Sequence, residues 1–98
     1  MTRHCQSWDS VPEAEGKRVL PGAGADLVSV RIPAGFKGQR HSHPHEQFVQ
    51  VISGAGTLWT EQGEQPFGPG SVFHFPAGAD HRAEFTADTL LVETNLRA

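Results

Sequence analysis

Hydrophobic and polar residues alternate along most of this chain in short runs that glycine and proline separate. In residues 25–33 the apolar Val28, Val30 and Ile32 occupy every second position, which is the period of a strand with one buried face. Comparable runs predict strands over 48–54, 56–62, 71–76, 81–86 and 88–96. An amphipathic helix is hard to find in the pattern. The sequence therefore predicts an all-β fold.

The segments between these runs predict turns. Gly54 and Gly56 separate two of the runs, and this short link predicts a hairpin between 48–54 and 56–62. Residues 63–70 are interpreted as a turn-rich connection. Strands at a spacing of about 8 to 12 residues with glycine turns are typical of a sandwich or barrel. Residues 1–16 are interpreted as an N-terminal arm, either loose or paired as a strand across an oligomer interface.

Chain length and composition favour a single domain over residues 1–98. With 98 residues and 37% hydrophobic residues, the chain can form one modest core. Cys5 is the only cysteine and has no partner for an internal disulfide, so a reducing, cytoplasmic location is expected. The first ten residues lack the apolar run of a signal peptide, and no stretch approaches the roughly 20 apolar residues of a membrane span.

The charge of the chain argues against nucleic acid as a partner. Eleven acidic and eight basic residues give a formal net charge of -3, and lysine and arginine form no block. A nucleic-acid-binding surface needs a basic patch. Nucleic acid is therefore not expected as a partner.

The stretch HSHPHEQ, residues 41–47, contains the candidate metal ligands. In an extended chain His41 and His43 point to the same face, about 6.6 Å apart, and can bind one ion. Gln47 has the same parity, whereas Glu46 points to the other face unless the chain bulges. His81 begins a later strand and is the best candidate for the fourth ligand. Two segments would then hold one metal.

A histidine pair at this spacing is weak evidence by itself, because most histidines are surface or core residues. A structural role is predicted for His4 in the polar N-terminus and for His74, which alternates with phenylalanines. For His45 both interpretations stay open.

The spacing of glycines and histidines around these residues forms two longer patterns. The first is Gly35, His41, His43, Gln47 and Gly54, and the second is Gly70, Pro76, Gly78 and His81. These patterns resemble the two sequence motifs of the cupin superfamily, and the second motif departs from the family at Phe85, where cupins commonly carry asparagine. The resemblance implies a double-stranded β-helix, or jelly-roll barrel, which usually forms a homodimer.

The same resemblance implies a divalent transition metal inside the barrel, bound by His41, His43, Gln47 and His81. Zinc, nickel, manganese, iron and copper all suit these ligands. Cupins usually have glutamate where this chain has Gln47, so the metal site would keep a net charge of about +2 rather than about +1. Such a site favours anionic oxygen ligands. Gln47 either binds the metal directly or orients a water on it.

HSHPHEQ also looks like the cupins that open the ring of unsaturated uronates, which use glutamine at this position. Those proteins carry an acid on the last strand, then an aromatic residue two positions later, then an arginine. Glu93 matches the acid, but Asn95 stands where the aromatic residue is expected and only Arg97 follows. The match to these enzymes is therefore incomplete.

The sequence favours a metal-dependent enzyme, a lyase or isomerase, that acts on a small carboxylate- or carbonyl-bearing molecule. Glu93 is the candidate proton carrier, although its strand could also present it to solvent, and Arg31 is the candidate carboxylate ligand. A non-enzymatic binding or sensor protein and an iron- or copper-dependent dioxygenase stay open as alternatives.

Overall fold

The structure is a computed structural model, and it describes residues 4–97. A short 3-10 helix (Trp8–Ser10) precedes nine strands, and no helix in this part of the chain is long and apolar enough to cross a membrane. The strands are β1 (Glu13–Ala14), β2 (Lys17–Pro21), β3 (Ala25–Ile32), β4 (Gln47–Ser53), β5 (Gly56–Thr60), β6 (Gly63–Phe67), β7 (Val72–Phe75), β8 (His81–Phe85) and β9 (Thr89–Leu96). The predicted all-β fold is confirmed.

The strands form two antiparallel sheets that face each other. The larger sheet has the order β1-β2-β3-β9-β4-β7, and the smaller has the order β6-β5-β8. The last strand, β9, lies between β3 and β4, so the centre of the large sheet joins segments that are far apart in sequence. This arrangement confirms the predicted jelly roll.

Alternating side chains of both sheets fill the space between them. Along β4, Gln47, Val49 and Val51 are buried, whereas Phe48 and Gln50 are exposed. The core consists of Val28, Val30, Val49, Val51, Leu58, Phe67, Phe75, Phe85 and Leu91. Burying each of these side chains fully contributes about 1.5 to 3 kcal/mol. The inward face therefore stabilises the barrel and also forms the walls of its interior.

The predicted hairpin between 48–54 and 56–62 is wrong, because β4 and β5 belong to different sheets. The link carries the chain from the large sheet to the small sheet, and its backbone passes close to neighbouring strands. Gly54 has φ +102°, and a Cβ there would overlap Thr89 Oγ1 and lie 2.7 Å from the Asp88 carbonyl oxygen. A Cβ at Gly56 would overlap the Glu84 carbonyl oxygen. The two glycines are therefore needed because a side chain at either position would overlap neighbouring backbone or side-chain atoms, and not because they form a hairpin turn.

The interpretation of residues 63–70 as a connection is also wrong in part, because β6 occupies Gly63–Phe67 and pairs with β5. Pro66 argues against a central strand, since proline has no backbone N–H for a ladder. β6 is an edge strand of the small sheet, where a missing donor costs little. Phe67 at its end is buried in the core.

The described part of the N-terminal arm packs against its own chain. β1 pairs with β2, and the Arg18 guanidinium donates hydrogen bonds to the carbonyls of Trp8 (2.9 Å) and Val11 (2.8 Å). Val11 is buried. Residues 1–3 lie outside the described residues, and a contact of the arm with another subunit stays a prediction.

Candidate metal centre

A cavity of about 390 Å³ lies between the two sheets. Apolar core side chains form much of its wall, and a small group of polar side chains also lines it. The polar residues are Glu15, Lys17, Arg31, His41, His43, Gln47, His81 and Glu93. A mostly apolar cavity with few polar groups is the usual form of a small-ligand site.

An irregular segment that runs alongside β8 positions the first two histidines. The Gly38 amide donates to the Ala83 carbonyl, and His41 and His81 exchange backbone hydrogen bonds of 3.0 and 2.9 Å. The Gly78 amide donates to the His43 carbonyl at 2.7 Å. The segment therefore extends the small sheet, and its backbone holds both histidines beside the start of β8.

The side chains of His41, His43 and His81 converge on one point. One ligand atom from each ring lies within 4.8 Å of the other two. Imidazole nitrogens bind transition metals at about 2.0 to 2.1 Å, so ligands of one ion can be up to about 4.2 Å apart. The ring nitrogens would have to move closer together to share one ion. The donor set therefore fits a divalent transition metal.

Backbone carbonyls determine which nitrogen of two rings is available to a metal. His41 Nδ1 lies 2.9 Å from the Gln39 carbonyl oxygen, and His81 Nδ1 lies 3.1 Å from the Ala79 carbonyl oxygen. A carbonyl oxygen only accepts, so each Nδ1 carries the proton and each Nε2 keeps its lone pair. The His81 ring also stacks on Phe75, with centroids 3.8 Å apart.

The surroundings of the histidines favour their neutral form. Burial lowers the pKa of His43 below its usual value, and the neighbouring His41 and His81 rings lower it further. Burial also lowers the pKa of His81, although its hydrogen bond to the Ala79 carbonyl opposes this shift. A metal binds neutral imidazole. Metal binding at neutral pH therefore requires little proton release from these two rings.

Gln47 lies on the same cavity wall and is only 4% exposed. Its Nε2 donates a 2.8 Å hydrogen bond to Asn95 Oδ1 on the neighbouring strand. Among residues 4–97 no protein donor bonds to its Oε1, which leaves this oxygen as the candidate ligand atom. No role was predicted for Asn95 from the sequence.

Glu93 belongs to the inward face of β9. It is in register with Val28 on one side and Val49 on the other, and both valines are core residues. Directly paired residues of antiparallel strands share a face, so Glu93 faces the cavity rather than solvent. Its role as a proton carrier stays a prediction.

Arg31 and Lys17 differ in the face that they occupy. Arg31 is exposed and follows the buried Val30 on β3, so its side chain belongs to the opposite face of the sheet. Lys17 is paired with Val30 in the strand register and shares its inward face. Both residues line the cavity, but the register directs the lysine side chain toward it. Lys17 was not predicted as a site residue from the sequence, because β2 was not predicted.

His45 and His74 do not belong to the cluster formed by His41, His43 and His81. The His45 ring stacks on His43 with centroids 5.1 Å apart, and its buried Nε2 has no hydrogen-bond partner in the described part of the chain. His74 contacts Glu46 and stacks on Phe48 at the exposed surface of the large sheet. The predicted structural role of His74 agrees with these contacts.

The fold and the histidine cluster together define a class of small β-barrel protein with a cluster of potential metal ligands inside the barrel. The model of the cupin domain family matches residues 28–93. This chain therefore belongs to the cupin family. The match includes all the predicted metal ligands and Glu93, whereas Lys17 precedes it.

Solved cupin structures resemble the chain over nearly its full length. An RmlC-like cupin from Shewanella frigidimarina is 20% identical, with a TM-score of 0.86 over 99% of this chain and 93% of that one. KdgF from a Halomonas species is 24% identical, with a TM-score of 0.75 over 91% of this chain and 87% of that one. At these identities the likeness shows the fold alone. No curated protein matches the chain.

The metal-free protein should lose stability as pH falls from about 7.5 to about 5.5, because His43 and His81 have lowered pKa values in the folded state. Unfolded histidine titrates near pH 6.5, so below this pH the unfolded chain binds more protons than the folded one. Stability is then gained as pH rises through the window and lost as it falls.

Urea unfolding at several pH values, with a chelator present, measures this slope. The double variant His43→Gln/His81→Gln should show a shallower dependence on pH. An identical slope in the two proteins would contradict the assignment of the shifts to these rings.

Proposed function

We propose that this cupin binds a divalent transition metal through His41, His43, His81 and Gln47 and acts on a small carboxylate- or carbonyl-bearing molecule, such as a sugar acid. The observation that carries this proposal is the convergence of three imidazole ligand atoms within 4.8 Å inside a cavity. The ligand type suits zinc, nickel, manganese, iron or copper.

A bound metal would act as a Lewis acid that polarises a carbonyl or carboxylate of the substrate. The ligands that we propose are three neutral imidazoles and one amide oxygen, so they would leave the full positive charge of the ion in place. A glutamate ligand would cancel part of that charge. The choice of glutamine therefore supports an anionic substrate.

The position of Lys17 on another wall of the cavity also supports an anionic substrate. It shares the inward face with Val30 and lines the cavity, so its ammonium group is suited to bind a carboxylate that reaches the metal centre. Glu15 lines the same cavity and would repel a second negative charge. A monocarboxylate is the substrate that these charges favour.

Glu93 is the group that we assign to proton transfer. Its carboxylate faces the cavity that the histidines also line, and a carboxylate can accept a proton from a substrate hydroxyl and return it. The resemblance of HSHPHEQ to the uronate ring-opening cupins makes a ring-opening or isomerising reaction of a uronate the first reaction to test. Asn95 replaces the aromatic residue of those enzymes, so the substrate can differ from theirs.

Removing one ligand should abolish stoichiometric metal binding. His81→Ala removes the only ligand from β8, and we expect its metal content after reconstitution with zinc to fall from about one equivalent to near zero. His74→Ala is the matched control, because His74 lies on the outer surface, and it should keep a full equivalent. Elemental analysis of protein purified without a nickel column measures both variants.

A full equivalent of metal in His81→Ala would show that the ligand set is wrong. The metal that copurifies with the wild-type protein separates the alternatives. Zinc, nickel or manganese agrees with Lewis-acid chemistry, iron or copper favours a dioxygenase, and metal-free protein that still binds uronates favours a binding or sensor role.

The two candidate carboxylate ligands can be compared directly. Lys17→Gln should weaken the binding of galacturonate to the zinc-loaded protein by about tenfold, since a hydrogen bond to a charged group is lost. Arg31→Gln should weaken it less, because Arg31 belongs to the opposite face of β3. Isothermal titration calorimetry measures both affinities, and unchanged affinity in both variants would contradict an anionic ligand at this position.

We also propose that two copies of the chain form a homodimer through the outer face of the large sheet. Apolar side chains on this face stay exposed, with Phe48 at 42% and Val72 at 74%, and cupins usually cover such a surface by pairing. Apolar patches of this kind mark association surfaces.

Light scattering should give about twice the 10.6 kDa mass of one chain. Val72→Glu places a charge in the proposed contact and should shift the protein to monomer. Val19→Glu is the control, since Val19 is also exposed but is paired with the inward-facing Val28. A monomeric wild-type protein, or equal dissociation in both variants, would contradict this contact.

A further inference from the structure

Three polar side chains on neighbouring strands form a row along one wall of the cavity. Gln47 on β4 and Asn95 on β9 are directly paired in the register, and Gln47 Nε2 donates to Asn95 Oδ1 at 2.8 Å. Asn95 Nδ2 in turn lies 3.5 Å from Glu93 Oε1, two residues away on the same face. The contact at 3.5 Å is long and weak, whereas that at 2.8 Å has good geometry.

The chemistry of the three side chains determines which group donates and which accepts each hydrogen bond in the row. An ionised carboxylate has no proton to donate, so the NH₂ group of Asn95 rather than its oxygen turns toward Glu93. The Asn95 oxygen then faces Gln47 and must receive a donor. Turning the Gln47 amide around would place two oxygens 2.8 Å apart without a hydrogen between them.

The direction of the row determines which atom of Gln47 is free. With Nε2 bound to Asn95, the atom that stays available to a cation is Oε1. An amide nitrogen carries two hydrogens and no available lone pair, so it does not bind a metal. Among the described residues no other side chain hydrogen-bonds the Gln47 amide. Its orientation therefore depends on Asn95.

We propose that Asn95 is a positioning residue that holds the Gln47 amide with its oxygen available to the metal. This inference rests on the proposed metal function, and it concerns a residue that does not itself touch the metal. Removing a group that orients a metal ligand commonly weakens metal affinity by about 10- to 100-fold. Asn95 thus connects the proposed ligand on β4 to Glu93 on β9.

Cobalt binding tests this role, because the visible absorption of Co²⁺ reports its coordination and titration gives its affinity. Asn95→Leu keeps the size of the side chain but removes the acceptor, and we expect Co²⁺ to bind about tenfold more weakly with an altered visible spectrum. Asn95→Asp keeps an acceptor for Gln47 Nε2, so it should retain the wild-type spectrum. The spectrum is the better readout for Asn95→Asp, since its added charge changes affinity for other reasons.

A double-mutant cycle separates positioning from a general structural effect. In the Gln47→Ala background, Asn95→Leu should leave Co²⁺ affinity unchanged, because the residue acts through Gln47. An equal loss in both backgrounds would overturn the proposal. So would a wild-type affinity and spectrum in Asn95→Leu, or an Asn95→Asp spectrum that matches Asn95→Leu.

The cycle also distinguishes failure of this inference from failure of the metal proposal. If the wild-type protein itself binds no Co²⁺, the metal function is wrong and the role of Asn95 falls with it. If the wild type binds and Asn95→Leu binds equally well, only the role of Asn95 is wrong. Circular dichroism of each metal-free variant checks that the fold is retained.

Discussion

The pair of backbone hydrogen bonds between His41 and His81 is the interaction on which the site depends. It joins the irregular segment before β4 to the first residue of β8, and these two pieces of chain are far apart in sequence. Since strand side chains alternate between two faces, a shift of one residue in this pairing would turn one histidine out of the cavity. The fold thus brings the histidine cluster together through register, and the Gly78 amide bonded to the His43 carbonyl reinforces it.

The alternation of residues along the chain was enough to predict several strands and to place His41 and His43 on one face. The alternation of Val28, Val30 and Ile32 predicted β3 to within one residue of its end, because Val28 and Val30 belong to the face of that strand that packs in the core. The same parity argument placed His41 and His43 on one face, and the structure brings their rings together. His81 required more than period. It was proposed as the fourth ligand from its place at the start of a later predicted strand, and the cupin motifs gave the stronger support, since no local signal relates it to residues so distant in the chain.

The errors of the sequence analysis arise where sheet membership is decided by contacts distant in sequence. Gly54 permits a tight turn, but it equally permits a close crossing against Thr89, and only the partner strands distinguish the two. Lys17 was missed for a related reason. β2 is second from the edge of the large sheet and has no fully buried residue, and its sequence KRVLP does not alternate between apolar and polar residues. Asn95, in contrast, could have been considered from the sequence, because it has the parity of Glu93. Its pairing with Gln47 across the sheet is known only from the structure.

The glutamine at position 47 changes what the rest of the site must supply. A glutamate can bind a cation with either of its two equivalent oxygens, so its orientation about the last bond matters little. A glutamine has one binding end and one that cannot bind, so a site that uses it needs a partner to distinguish them. Asn95 meets this need with the acceptor that faces Nε2, and Glu93 is suited to orient the asparagine because a carboxylate only accepts. We therefore interpret Gln47, Asn95 and Glu93 as one hydrogen-bonded row. A neutral ligand at position 47 would keep the charge of a bound metal high, but only a row that holds its amide in one orientation would make it a ligand.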